Sequence, residues 1–203
     1  MTWSHLSRFR TFVLVAGLTA SAVGLYAGLG RLHPSRAAAE TRYHAQFTAT
    51  GELVRPEGWR EWVYIGAPLT PNSLNPPAAP FPEFHNVYID PESWKHYQRT
   101  GAFREGTLLA KELVSVGATQ ATSGKGFFMG EMIGFEIAYK SAARFPNEPG
   151  HWAYFSFGHK PEPYDQTAAK QPVANCAACH TVAAAQDNVF TQYYPVLRAA
   201  RPK

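Results

Sequence analysis

A chain of 203 residues has room for one well-filled domain, or for a leader followed by one domain. Its 19 Lys and Arg outnumber 15 Asp and Glu, but Arg8, Arg10, Arg31 and Arg36 all precede Glu40, the first acidic residue. The remainder carries 15 charges of each sign, which excludes the basic surface that nucleic acid requires.

The excess positive charge has a positional meaning. Arg8 and Arg10 precede an apolar run from Thr11 to Gly30, the order of a secretory n-region and h-region. Ala37-Ala38-Ala39 fits the small-residue rule for cleavage, so residues 1–39 read as a signal peptide and 40–203 as a periplasmic domain. An uncleaved membrane anchor competes, because the run is 20 residues long and Arg31 to Arg36 separate it from the alanines. Both readings export the domain.

In chain order, Trp59 to Ile65 alternates and is rich in aromatic and β-branched residues, which predicts a strand. Pro68 to Pro82 reads as a loop, and Phe84 to Ile89 as a second strand. Asp90-Pro91-Glu92 supplies an N-cap, a first-turn proline and an acidic first turn, predicting a helix to about Arg99 with Gly101 as its stop. Thr107 to Val116, Phe127 to Tyr139 and Trp152 to Phe157 are further strands, joined by short Gly, Asn and Pro connections that favour antiparallel pairing. The stretch around residue 176 and the tail from Val189 to Ala200 read as helical. The expected class is α+β: a mainly antiparallel sheet with a few short helices, one of them C-terminal.

That C-terminal helix holds Cys176-Ala177-Ala178-Cys179-His180, an intact C-x-x-C-H. The spacing suits covalent attachment of haem c. Two thiols one helical turn apart add to the two vinyl groups of one porphyrin, and the following imidazole of His180 ligates the iron. A redox disulfide would need a thioredoxin-like setting that the flanking residues do not show. Structural zinc would need four ligands, and no second cysteine pair or H-x-x-x-H cluster exists. Only 23 residues follow His180, with neither Met nor His among them, which argues against the sixth ligand of a plain electron carrier. Met129 and Met132, the methionines outside the leader, read as core fillers.

Three polar residues lie on strands that would face the haem. Parity puts Phe127, Met129, Ile133, Phe135, Ile137 and Tyr139 on a core face, and Gly130, Gly134 and Glu136 on the other. Glycines within a strand admit close approach by a ligand, here a flat porphyrin with Glu136 beside it, although a solvated Glu136 fits the same pattern. Lys111 sits between apolar neighbours, so it either snorkels to water or is a desolvated nucleophile. His85, beside Phe84 and after Phe81, reads as a structural histidine or as a distal-pocket residue.

Several segments together carry a resemblance. Trp59-Arg60-Glu61-Trp62, Gly66-Ala67-Pro68-Leu69-Thr70-Pro71-Asn72, Val87-Tyr88-Ile89-Asp90-Pro91-Glu92-Ser93, Lys111-Glu112-Leu113-Val114-Ser115-Val116-Gly117, Phe145-Pro146-Asn147-Glu148-Pro149-Gly150 and Tyr193-Tyr194-Pro195-Val196-Leu197-Arg198, with the C-x-x-C-H, resemble the cytochrome P-460 family. The resemblance implies a mostly antiparallel β domain, usually a homodimer, with a five-coordinate haem c. It implies hydroxylamine oxidation towards nitrous oxide or nitric oxide, with a soluble c-type cytochrome accepting the electrons. Lys111 matches the lysine that such members join to the porphyrin edge, and Glu136 matches their distal carboxylate base. His85 stands where arginine is usual. The alternative is a nitric-oxide sensor or scavenger of the cytochrome c′-β type, whose apolar distal cap Phe81, Phe84 and Phe128 would supply.

Overall fold

The structure, a computed structural model, describes residues 43–202. The leader inferred for residues 1–39 lies outside them. Among the described residues no helix is long and apolar enough to cross a membrane.

Among the described residues, nine strands and three helices follow in chain order. They are β1 (Leu53–Val54), β2 (Val63–Gly66), β3 (Phe84–Ile89), α1 (Pro91–Thr100), β4 (Leu108–Val116), β5 (Gln120–Ala121), β6 (Gly124–Lys125), β7 (Met129–Lys140), β8 (Trp152–Ser156), β9 (Thr167–Ala168), α2 (Ala177–Ala183) and α3 (Pro195–Ala200). The core is a five-stranded sheet in the order β2-β3-β4-β7-β8, antiparallel throughout. β1 pairs with β9, and β5 with β6. The α+β expectation holds, with the C-x-x-C-H segment opening α2 and the short α3 following it.

Alternation along the strands divides the apolar side chains between two faces. Leu108, Ala110, Phe135, Ile137, Ala153 and Phe155 pack on one face beneath Trp59, Trp62 and Tyr164. Ile65, Val87, Ile89, Leu109, Trp152 and Tyr154 pack on the other with Tyr97, Phe103, Ala177 and Leu197. Large side chains such as Trp152, Phe135 and Phe155 are fully buried, each contributing roughly 2–3 kcal/mol through apolar area removed from water. The first face also holds one charge. Glu112 is 1% exposed, and it accepts hydrogen bonds from Nε and Nη2 of Arg60. We call it the clamp face, and its opposite the helix face.

Three sequence expectations need correction. Trp59 to Glu61 forms a 3-10 turn after Gly58, which takes a left-handed φ of 65°, so the strand starts only at Val63. The tail is not one helix, because Thr191–Tyr193 is a 3-10 turn and α3 starts at Pro195, a first-turn proline. The methionines are not core fillers: Met129 is 49% and Met132 41% exposed. Both lie on the part of β7 that runs beyond β8, which pairs only with Glu136–Lys140. Leu113 faces Gly134 while Val114 faces Met132, so Ile133 is an extra residue and the parity of β7 reverses there. Met132 therefore turns to the clamp face, where it meets the Arg60 guanidinium.

Candidate functional site

The central strands set polar groups opposite one another on the helix face. Lys111 of β4 and Glu136 of β7 are register partners, and Lys111 Nζ lies 2.5 Å from Glu136 Oε2. Each side chain is about a quarter exposed, at 26% and 25%. Phe81 stands over the pair, its ring centroid 5.3 Å from Lys111 Nζ and 6.0 Å from the His85 ring. His85 Nε2 is shielded from solvent and has no hydrogen-bond partner within the protein. Burial lowers the His85 pKa to about 4, with the Lys111 charge acting in the same direction. His85 therefore remains a neutral ring with one unused nitrogen.

The cysteine segment lies over the same face, where Ala177 joins the apolar cluster of Val87 and Leu109. Both thiols are free, Cys176 half-buried and Cys179 exposed. Burial raises the Cys176 pKa, the Glu136 charge raises it further, and Lys111 opposes both. His180 Nδ1 lies 2.8 Å from the Asn188 carbonyl. A carbonyl only accepts, so Nδ1 carries the proton and Nε2 presents a lone pair. Burial lowers the pKa of this ring also, which favours the neutral form that binds metal. Tyr154 and Phe190 hold the imidazole between them, each with its centroid 4.6 Å away.

The carbonyl that fixes this tautomer is itself anchored. Asn188 has φ 56° and Asp187 φ 46°, a left-handed pair that short polar residues tolerate best. Asn188 Nδ2 donates to the Pro149 carbonyl at 2.7 Å. Asp187 Oδ1 accepts from Lys140 Nζ at 3.0 Å and from Trp152 Nε1 at 3.3 Å.

A model of the Cytochrome P460 family matches residues 56–191. The chain belongs to that family. It is a haem c oxidoreductase, with iron bound in a covalently attached porphyrin. No curated protein matches it.

The residues present fit haem c. Two free thiols stand at the attachment spacing, followed by an imidazole whose Nε2 lone pair is left for iron. Among the described residues no group of three or more His, Cys, Asp and Glu could hold a bare metal ion.

Of the residues expected to serve a cytochrome P460 site, Lys111, Glu136, His85 and Phe81 lie together. Cys176 and His180 both respond to the Lys111 and Glu136 charges. Cys179 belongs to the same helix. Phe84 alternates with His85 and so takes the clamp face, opposite Val114. Phe128 pairs through its backbone with Gly117 and Ala118, beyond the end of β4 and about 20 Å along the strand from Lys111. Neither joins the cluster. Gly134 has a packing reason: a side chain there would stand 2.8 Å from Leu113 Cδ1. A cavity of about 350 Å3, lined by Glu83, Ser115, Phe127 and Ile133 among others, contains none of the expected site residues. Sequence reasoning missed Asn188, Asp187, Tyr154 and Phe190. Only Asp187-Asn188, a dipeptide suited to left-handed turns, carried any signal.

Proposed function

We propose that the chain is a periplasmic hydroxylamine-oxidising enzyme working where α2 packs against the helix face of the sheet. The observation that carries this reading is the Lys111–Glu136 pair at 2.5 Å, on the sheet face over which the C-x-x-C-H helix packs. The haem supplies the coordination position for substrate nitrogen and the route by which electrons leave. Two hydroxylamine molecules yield one nitrous oxide and one water, releasing four protons and four electrons. The protein must therefore move protons.

Glu136 is the group suited to accept them, and a positioned carboxylate contributes roughly 10²–10⁴-fold as a general base. Before attachment Lys111 orients that carboxylate. Its Nζ is the amine that would join the porphyrin edge. That bond replaces one N–H and one ring C–H, and gives up two protons and two electrons to an added oxidant such as a peroxide. His85, neutral at physiological pH, offers Nε2 to a substrate N–H or O–H. Phe81 restricts water above the pair. The same ring supports a second reading, the nitric-oxide scavenger, because an apolar cap suits a small neutral gas.

Intact mass and turnover of the haem-loaded protein separate the two. The enzyme reading requires a mass below that of a simple haem c adduct by the hydrogens lost in forming a lysine–porphyrin bond, with a red-shifted ferrous Soret band. Glu136→Gln should then keep the spectrum and lose at least about 100-fold in hydroxylamine oxidation. An ordinary haem c mass and spectrum would favour the gas-binding reading. Undiminished turnover in Glu136→Gln would remove the carboxylate from the base role.

A further inference from the structure

We propose that Lys140 and Asp187 are positioning residues for the iron's axial ligand: they hold the Asn188 carbonyl on His180 Nδ1–H and thereby set the reduction potential of the haem. The inference goes beyond the substrate reading above. It rests only on a haem attached beside His180.

Backbone strain marks the place. Three described residues other than glycine have a left-handed backbone: His151 (φ 63°), Asp187 (φ 46°) and Asn188 (φ 56°). His151 follows Gly150 (φ 60°) in the turn before β8, and Asp187-Asn188 is the turn after α2. Such conformations are costly away from glycine, persist only where their surroundings over-determine them, and cluster at functional sites. Here the two turns meet. Asn188 Nδ2 donates to the Pro149 carbonyl at 2.7 Å. A Cβ on Gly150 would stand 2.7 Å from Asn188 Nδ2 and 3.3 Å from Asp187 Oδ1.

One ammonium fastens both turns to the sheet. Lys140 ends β7, and its side chain is 12% exposed. Its Nζ donates to the Gly150 carbonyl at 2.8 Å and to Asp187 Oδ1 at 3.0 Å. Trp152, the register partner of Lys140 on β8, donates Nε1 to the same carboxylate oxygen at 3.3 Å. With Asp187 held in this way, the next residue aims its carbonyl at His180 Nδ1, 2.8 Å away. The Tyr154 hydroxyl stands 3.5 Å from that carbonyl, at the limit of hydrogen bonding.

A ring N–H that donates to a carbonyl makes the opposite ring nitrogen more basic. A more basic Nε2 favours ferric over ferrous iron, so a loosened Asn188 carbonyl favours ferrous. Charge alone acts the other way. Without the Lys140 ammonium, the Asp187 carboxylate is no longer neutralised and favours ferric. The direction of the shift in Lys140→Met therefore separates positioning from simple electrostatics.

The test is a spectroelectrochemical titration of the haem-loaded protein, with resonance Raman of its ferrous iron–histidine stretch. At a fixed applied potential, Lys140→Met should raise the ferrous-to-ferric ratio roughly threefold or more, about 30 mV at 59 mV per tenfold. The stretch should move to lower frequency. Gly150→Ala disturbs the same junction from the other side and changes no charge, and it should shift both readouts in the same directions. It decides the matter if Lys140→Met fails to fold. A ratio and stretch unchanged in Gly150→Ala, or a ratio that falls in Lys140→Met, would overturn the proposal. A colourless wild type would instead signal failure of the cofactor reading.

Discussion

His85 shows how one residue's surroundings set its chemistry. Its ordinary pKa of 6.5 falls to about 4, first through burial and then through the Lys111 charge. The unfolded chain therefore takes up a proton before the folded one as pH drops. The stability this group contributes is complete above pH 6.5 and is lost as pH falls through about 4, amounting to roughly 3 kcal/mol at most. Nitrogen-resolved NMR of the His85 ring should show it neutral down to about pH 5. Lys111→Met should shift its midpoint upward. A wild-type midpoint near 6.5 would contradict the burial argument. The sequence offered His85 only as a choice between structural and distal roles, since residue type does not reveal that Nε2 lacks a partner. Cys176, Cys179 and His180 stood out in the sequence, because their spacing is itself the chemistry. The Asn188 carbonyl left almost no trace, since every residue has a carbonyl and only the left-handed turn aims this one.

At the scale of elements, local signals read correctly wherever the chain itself terminates or caps a segment. Asp90 opens α1, with Oδ1 accepting from the N–H groups of Glu92 at 3.1 Å and Ser93 at 2.8 Å. Gly101 closes the helix in a left-handed conformation, φ 68°. Asp90 does more than cap, because its Oδ2 accepts from Leu108 N at 2.9 Å and so ties α1 to the start of β4. Asp90→Ala should therefore cost about 2–4 kcal/mol in urea unfolding, a lost cap plus an orphaned buried N–H. Asp90→Asn should cost less, since the amide oxygen still caps the helix. A loss below about 1 kcal/mol for the alanine variant would show that the two roles are not coupled. In the segments misread from sequence, composition outweighed the punctuation. Trp59 to Ile65 has strand composition, but left-handed Gly58 sends its first half into a 3-10 turn. The tail has helical composition until Pro195 restarts it.

At the scale of the molecule, the sheet separates two kinds of work. The clamp face secures the fold through aromatic packing and the ion pair of buried Glu112 with the exposed Arg60 guanidinium, whereas the helix face presents Lys111, Glu136 and His85 to α2. Alternation in β4 is regular, which is why Lys111 could be placed from sequence. Alternation in β7 holds only from Gly134 onward, because the register shifts at Ile133 and again between Met132 and Met129. Neither these shifts nor the short reach of β8 has a composition signature, so Met129 and Met132 were assigned to a core they do not enter. The account depends finally on one covalent attachment. Its most direct test is to isolate the protein from a host that matures c-type cytochromes, digest it, and weigh the peptide spanning residues 176–180. The account predicts that peptide at the mass of its residues plus one haem, with neither thiol open to alkylation. An unmodified peptide with both thiols alkylated would contradict it.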